Sequence, residues 1–200
     1  MSRFWVAALL VLALLVVYLP TVQTIPNGSD HYYMIDVGET QVVLNVWGTL
    51  HYTGYPLYVL TGSALVALFR LFGANPAAAA SLVSLVWGVL GLLLVTVLAA
   101  HLTKRPLLAA LTALVYGLTR TVWIHAGIAE IYSFGFVLLM LLLTLALWHH
   151  PLRGRIVGLA LLGGLGLWSP RRLDRLLGAV LGDRSLALRR RARHGGRLAA

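Results

Sequence analysis

Asp36 and Glu39, two carboxylates three residues apart, are the first side chains whose type and spacing could do chemistry. They lie in the stretch 29–58, which holds three of the six acidic residues of the chain. On a helix the pair would share one face, and Gly38 between them permits close approach of a substrate or of neighbouring backbone. A partly shielded carboxylate can take a proton from an incoming hydroxyl during group transfer. We therefore predict that Asp36 is a general base; the alternative is an ordinary solvated loop.

The second group of polar side chains is the run HYTGYPLY, which follows closely in the sequence. Its members His51, Tyr55 and Tyr58 offer hydrogen-bond donors and stacking faces that suit a sugar or a phosphate. Gly54 and Pro56 are expected to fix a turn before the next helix. The alternative is an aromatic belt at a membrane interface. We predict substrate binding by this run.

The third group extends from Arg120 to Tyr132. Arg120 interrupts an apolar run, and an ionisable residue in membrane-type sequence is a functional hypothesis. It could bind a lipid-linked phosphate, or it could extend to the membrane interface. Glu130 could pair with His125 or Arg120, bind a divalent cation together with Asp36, or orient the acceptor, and the spacing leaves these alternatives open. His125 and Tyr132 are further candidates for substrate binding.

The composition indicates a membrane protein. Of the 200 residues, 60% are hydrophobic and only 11% are charged, whereas charged residues make up about a quarter of a soluble domain. The absence of cysteine excludes disulfides and thiolate metal sites. The net charge of +10 is unevenly distributed, because nine of the sixteen basic residues lie from Arg171 onward. A basic surface for nucleic acid is therefore not expected in the rest of the chain.

Long apolar segments predict an all-α, polytopic transmembrane bundle. The first is read as a membrane anchor rather than a signal peptide, because no small-x-small cleavage pattern follows it. A segment at 156–168 is short and rich in glycine, so its status as a span is open. Gly88, Gly91 and Gly117 could allow helices to pack closely. The first span is 4–19, and the other predicted spans are 77–100, 107–124 and 131–148. Of these, 77–100 and 131–148 have about the length that a bilayer requires.

The distribution of charge predicts the topology. If the apolar segment 57–72 crossed the membrane, the basic loops 101–106 and 149–155 would both be external, against the positive-inside tendency. If it instead stays at the outer interface, both loops become cytoplasmic. The same assumption puts Glu130 on the outer side together with Asp36. We adopt it, and expect residues 20–76 to form one external loop.

The tail 169–200 differs in character, because it consists mostly of Arg, Leu, Gly and Ala. It is either a basic segment that is attracted to anionic lipid or the product of a shifted reading frame in a GC-rich gene. It lacks interleaved aromatic residues and any recognisable module, so nucleic-acid binding is not expected.

Taken together, Asp36-Val-Gly-Glu39, the HYTGYPLY run and the segment from Trp123 to Glu130-Ile-Tyr132 resemble a known pattern in order and spacing. It is that of a family of uncharacterised bacterial membrane proteins related to the protein O-mannosyltransferases, in the GT-C superfamily of glycosyltransferases. The resemblance covers roughly residues 4–168. It implies a GT-C-like N-terminal module, a polyprenyl-phosphate sugar as donor and a helical first external loop folded along the membrane surface.

The resemblance also implies roles for residues. Asp36 would be the catalytic base, Glu39 a further catalytic carboxylate beside it, and Glu130 the second acid facing the same cavity. Two departures matter: Tyr52 and Thr53 stand where the family pattern has prolines, and related enzymes continue through several more membrane helices. We therefore expect the chain to be either truncated by a shifted reading frame after about residue 166 or a minimal relative, whether active or inactive.

We accordingly expect a glycosyltransferase in the bacterial plasma membrane, with its active site on the extracytoplasmic face. Its partners would be a lipid-linked sugar donor, membrane lipids and a hydroxyl acceptor on a protein, lipid or glycan, and a divalent cation is an open alternative as cofactor. A transporter or channel component, with Asp36, Arg120 and Glu130 as pathway charges, is the alternative from another class. A third possibility is an inactive truncated fragment.

Overall fold

The structure, a computed structural model, describes residues 2–28, 34–51, 54–147 and 157–158. All regular structure in these ranges is helical, which confirms the all-α prediction. A short 3-10 turn, Leu19–Thr21, follows the first helix. The α-helices are α1 Arg3–Tyr18, α2 Ile35–Val46, α3 Pro56–Leu71, α4 Pro76–Thr103, α5 Pro106–Gly117, α6 Arg120–Gly127 and α7 Tyr132–Leu147.

Local sequence explains where several of these helices begin and end. Helices α3, α4 and α5 each have proline in the first turn, where its missing N–H costs nothing and its fixed φ favours the helix. Asn75 caps α4, since its Oδ1 accepts a hydrogen bond of 2.8 Å from Ala78 N. Trp47 ends α2 and Lys104 ends α4 in the left-handed conformation, with φ of 55° and 60°.

Two helices in the described part of the chain are long and apolar enough to cross a membrane. They are the 19 residues Arg3–Thr21 and the 28 residues of α4, which agree with the predicted spans 4–19 and 77–100. The predicted span 107–124 is divided into two helices, because α5 and α6 are separated at Leu118 and Thr119 and bent by 74°. Taken together the bent pair counts as a third candidate span.

In the ranges that it describes, the structure thus fits a helical membrane protein, but not a full polytopic bundle with all the predicted spans. Helix α7 covers most of the predicted span 131–148, yet it has only 16 described residues, fewer than the roughly 20 that a bilayer requires. Apart from residues 157–158, the predicted segment 156–168 lies outside the described residues, as does the tail 169–200.

Hydrogen bonds bring three helix ends together. Asn75 Nδ2, at the start of α4, donates to Thr24 O over 3.0 Å, just after α1. Gln23 N donates to Gly127 O, the last residue of α6, over 2.8 Å. We call this the acidic end of the bundle, because Asp36 and Glu130 lie there. Residues 22–75 therefore leave and re-enter the bundle at the same end.

The opposite end of the bundle is basic. Arg3 at the start of α1, His101 near the end of α4 and Pro106 at the start of α5 line one small cavity of about 100 Å³. Lys104 and Arg105 lie in the connection beside them. We call this the basic end.

The expectation that glycines allow close helix contact is confirmed at α4 and α5. A Cβ at Gly91 would overlap the ring of Phe136 on α7. Gly117 accepts a 2.6 Å hydrogen bond from Tyr18 Oη on α1, and a Cβ there would lie 2.7 Å from Leu92 Cδ1. Any larger residue would push these helices apart.

Helices α2 and α3 lie in the loop predicted to be external, which confirms that it is helical. Val37 and Leu44 of α2 are fully buried, and they share one apolar cluster with Val66 of α3 and Val83 of α4. This packing fixes α2, and with it its two carboxylates, against the acidic end of the bundle.

Candidate functional site

Helix α2 carries the two carboxylates that the sequence singles out. Asp36 lies in its first turn, where the N-terminal end of the helix favours a negative charge. Glu39 follows one turn later, so the prediction of one shared face is confirmed by the helix. Their side chains are 42% and 35% exposed. Both carboxylates can therefore meet a polar ligand from the solvent.

Gly38 provides the close approach expected of it, and the partner is backbone. A Cβ at this position would lie 2.7 Å from the carbonyl oxygen of Asn27. The contact is reinforced by Gln41 of α2, whose Oε1 accepts from Asn27 N over 2.9 Å. Asn27 Nδ2 donates to Met34 O over 2.8 Å. The segment after α1 is thus attached directly to the helix that bears Asp36.

His51 joins the two carboxylates into one cluster. Its backbone N donates to Glu39 Oε1 over 2.7 Å, and its ring Nδ1 contacts Glu39 Oε2 at 2.5 Å. The other ring nitrogen, Nε2, lies 4.0 Å from Asp36 Oδ2. The hydrogen bond to Glu39 is the main cause that raises the pKa of His51 above its usual value, and the charges of Glu39, Asp36 and Glu130 act in the same direction.

The turn expected between His51 and the next helix is confirmed. Gly54 N donates to His51 O over 3.0 Å, and Gly54 has a φ of +66°, which glycine adopts without strain. Tyr55 also has a positive φ, of 41°, immediately before Pro56 begins α3. The Tyr55 ring stands edge-on to the imidazole, with 6.3 Å between the ring centroids. The turn therefore sets the position of His51.

Tyr58 is buried, so a ligand in solvent does not reach it directly. It is 1% exposed, its ring packs against Phe134 of α7 at 5.7 Å, and its Oη has no hydrogen-bond partner in the described structure. A role in substrate binding stays a prediction for Tyr55 and Tyr58.

Glu130 is the buried acid of the site. It lies between α6 and α7 with 4% of its surface exposed. Burial raises the pKa of its carboxyl to about 7, and the negative charge of Asp36 adds to this effect, while a hydrogen bond from the Ile131 backbone and the charge of His51 oppose it. Glu130 is thus close enough to Asp36 and His51 for their charges to interact, as the predicted topology requires.

Arg120, His125 and Tyr132 lie around a neighbouring cavity and the start of α7. Arg120 is exposed at the bend between α5 and α6, and it lines an open cavity of about 630 Å³ with Met34 and Trp123 among its neighbours. The His125 ring packs on Tyr132 with 4.6 Å between centroids. Among the described residues, neither Arg120 nor His125 forms an ion pair with Glu130.

A cation could be held by Asp36, Glu39 and His51, whose ligand atoms lie within 4.8 Å of one another. Carboxylate and imidazole ligands suit divalent ions such as Mn²⁺ and Zn²⁺. The geometry differs from the expected pair of Asp36 and Glu130. Both oxygens of Glu39 already contact His51, so an ion there would share the Glu39 carboxylate with that residue.

Sequence reasoning missed the residues that hold the acids in place. Ser84 of α4 bonds the backbone of Glu130, and Gln41 and Asn45 of α2 bond the neighbouring segments. A signal was present for Ser84, because small polar residues within membrane helices commonly bond across helices. Nothing in the sequence indicated the partners of Gln41 and Asn45.

The family model of the protein O-mannosyl-transferase TMEM260 N-terminal domain matches residues 36–167, which is more than half of the chain. The matched region begins at Asp36 and includes the HYTGYPLY run and the segment 120–132. No curated protein and no solved structure matches the chain.

Proposed function

The chain belongs to the family of the protein O-mannosyl-transferase TMEM260 N-terminal domain, and from that premise we propose that it transfers a sugar from a polyprenyl-phosphate donor to a hydroxyl acceptor. In this reaction the acceptor oxygen forms a bond to the anomeric carbon of the sugar. The bond from that carbon to the phosphate oxygen breaks, and its electron pair leaves with the lipid phosphate. The proton of the acceptor hydroxyl passes to a base.

Asp36 is the base in this proposal. It is exposed enough to meet an acceptor, and it lies in the helix fixed against the acidic end. The negative charge of Glu130 acts on His51, which lies beside Asp36. A protonated Glu130 could hold the acceptor by a hydrogen bond, because burial favours its uncharged form near neutral pH. The single observation that carries the proposal is this gathering of Asp36, Glu39, His51 and Glu130 at one end of a protein from this family.

Arg120 is the residue that we assign to the donor. The departing phosphate needs positive charge to stabilise it, and an arginine guanidinium suits phosphate oxygens in charge and geometry. The cavity beside Arg120 is otherwise mainly apolar, with Leu118, Ile124 and Ile128 in its walls, as suits a lipid-linked donor. The cavity supports this assignment through its chemistry.

We further propose that the acidic end faces away from the cytoplasm. Arg3, His101, Lys104 and Arg105 gather at the basic end, and basic residues favour the cytoplasmic side. Because residues 22–75 leave and re-enter at the acidic end, α3 need not cross the bilayer. The resemblance to bacterial proteins suggests the plasma membrane as the location. Acids at one end, instead of along a path through the membrane, count against the transporter alternative.

The experiment compares Asp36→Asn with a matched control, Asp174→Asn, which makes the same chemical change in the tail. Membranes from cells that produce each variant are supplied with radiolabelled mannosyl-phosphoryl-polyprenol, and label incorporated into glycan or protein is measured. We expect transfer by the control at the wild-type rate and a fall of about 10² or more in Asp36→Asn. Equal rates in both variants, at equal amounts of inserted protein, would overturn the proposal.

A further inference from the structure

Glu39 has both of its carboxylate oxygens occupied by His51. Oε1 accepts from the backbone N of His51 at 2.7 Å, and Oε2 contacts the ring Nδ1 at 2.5 Å. Such a double contact fixes the plane of the imidazole as well as its position. A carboxylate that is engaged in this way is poorly placed to take a proton from an acceptor. The geometry therefore separates the role of Glu39 from that of Asp36.

The free edge of the imidazole is directed toward Asp36 but does not bond it. Nε2 of His51 lies 4.0 Å from Oδ2 of Asp36, which exceeds the range of a direct hydrogen bond. One oxygen atom that makes hydrogen bonds of about 2.8 Å to each group would bridge this separation with an angle of roughly 90° at the oxygen. The gap thus has the size of one hydroxyl oxygen.

The surroundings leave this gap accessible. The side chains of His51 and Asp36 are 48% and 42% exposed, so a molecule from solvent can approach both. The charges of both residues act on Glu130, which lies nearby. A molecule that enters the gap would therefore contact both His51 and Asp36, the hydrogen-bond donor and the base that the transfer reaction requires.

We propose that the acceptor hydroxyl binds between Nε2 of His51 and Oδ2 of Asp36, and that Glu39 is a positioning residue which holds the imidazole for this contact. The proposal rests on the proposed function and defines its acceptor subsite. It revises the expectation that Glu39 is catalytic and makes His51 a catalytic residue.

In this geometry the two lone pairs of the acceptor oxygen have different roles. In the imidazolium form of His51, which the contact with Glu39 favours, Nε2–H donates to one lone pair of the acceptor oxygen while Nδ1–H stays on Glu39. The other lone pair attacks the anomeric carbon of the donor. The hydroxyl proton passes to Asp36 as the new carbon–oxygen bond forms. The bond from the anomeric carbon to the phosphate oxygen breaks at the same time, and the phosphate keeps the electron pair. Glu39 keeps its two contacts with His51 throughout.

Two substitutions at His51 separate its two ring nitrogens. The amide nitrogen of His51→Gln can take the place of Nε2, whereas that of His51→Asn can take only the place of Nδ1. We expect His51→Gln to retain most activity, and His51→Asn to lose about tenfold or more, as a rise in KM for the acceptor or a fall in kcat, because a hydrogen bond of this kind contributes that much. Equal loss in both variants, at equal thermal stability, would contradict the role of Nε2.

A double-mutant cycle tests whether Glu39 acts through His51. Glu39→Gln should reduce the rate by about 10²-fold in the wild-type background, since a shift of about 1 Å in a reacting group has that effect. In the His51→Ala background the same change should have no further effect. Additive losses would show that Glu39 acts independently and would overturn its assignment as a positioning residue. Loss of activity on chelation with EDTA would overturn it too, in favour of a metal site.

The Glu39–His51 contact can be tested without turnover. In protein with ¹⁵N-labelled histidine, the Nδ1 proton of His51 should give a far-downfield NMR signal that is absent from Glu39→Gln and present in Asp36→Asn. A signal that persists in Glu39→Gln would contradict the contact itself. If the signal behaves as expected while the wild-type protein transfers no sugar, the contact stands and the proposed function fails.

Discussion

Ser84 on α4 exchanges two hydrogen bonds with the backbone of Glu130: its Oγ donates to Glu130 O over 2.9 Å and accepts from Glu130 N over 3.0 Å. A side chain on a membrane helix thus completes the backbone of the segment between α6 and α7. The buried acid owes its position to this serine, because residues 128–131 have no helix of their own to satisfy their backbone groups.

Ser84→Ala should therefore destabilise the protein, by roughly 2 kcal/mol, because it leaves a buried N–H and a buried C=O without partners. Ser81 is a matched control, since it lies on the same helix, is equally buried and has no hydrogen-bond partner in the described structure. Ser81→Ala should be neutral or slightly stabilising. Thermal unfolding in detergent measures both, and equal effects of the two substitutions would contradict the argument.

Gly38→Ala should detach the segment after α1 from α2. Its Cβ would meet the carbonyl oxygen of Asn27 at 2.7 Å, so either the segment or the helix must move, at a cost of about 1–3 kcal/mol. The control is Gly28→Ala, because a Cβ there meets nothing within 4 Å. We expect lower transferase activity and stability in Gly38→Ala alone; two equally active variants would argue that this contact does not position Asp36.

Glu130 should make the protein less stable as the pH rises. The pKa of its carboxyl is about 7 in the folded protein and 4.5 for an ordinary, solvated glutamate, as in the unfolded chain. Folding therefore favours the protonated form of Glu130. Its contribution therefore becomes unfavourable between pH 4.5 and 7, by about 3 kcal/mol in total. Glu130→Gln should lack this part of the pH dependence and be more stable than wild type at pH 8. Parallel stability curves for the two proteins, measured by unfolding at several pH values, would disprove it.

Arg120→Gln should weaken the use of the donor more than the use of the acceptor. Loss of a charged hydrogen bond to phosphate corresponds to a rise of about tenfold or more in KM for mannosyl-phosphoryl-polyprenol. Arg105→Gln, at the basic end, is the matched control and should leave this KM unchanged. A rise confined to the acceptor KM would place the donor phosphate elsewhere.

The orientation of the bundle can be measured by labelling single cysteines in intact cells, and no native cysteine interferes. Phe72, 82% exposed, and Thr121 mark the acidic end, and Leu102, 57% exposed, marks the basic end. Cysteines at positions 72 and 121 should react with a membrane-impermeant maleimide, and a cysteine at 102 should react only after permeabilisation. The reverse pattern would put the acids in the cytoplasm.

The sequence predicted the elements whose signals are local. The apolar run 77–100 indicated the span that forms most of α4. The spacing of Asp36 and Glu39 put both carboxylates on one face of helix α2. The break at Leu118 and Thr119 was missed, because 107–124 reads as one apolar run and nothing local signals a bend of 74°.

The site was predictable only in part, for a similar reason. Charge distribution was enough to group Asp36 with Glu130, since each loop must lie on one side of the membrane. The contact between Glu39 and His51 depends on how the turn after α2 folds back, and such a long-range contact leaves no periodic trace in the sequence. Tyr58 was predicted to bind substrate, but its place on α3 turns its ring toward Phe134.

The bend between α5 and α6 determines how a donor would reach Arg120. In a straight helix Arg120 would lie within the continuous apolar span, whereas the bend places it at the rim of an open, mainly apolar cavity. A phosphate bound there would leave its hydrocarbon chain in the bilayer, so the donor would enter sideways without being extracted into water. Selection would then act on the sugar, the phosphate and the nearest isoprene units, and chain length would matter little.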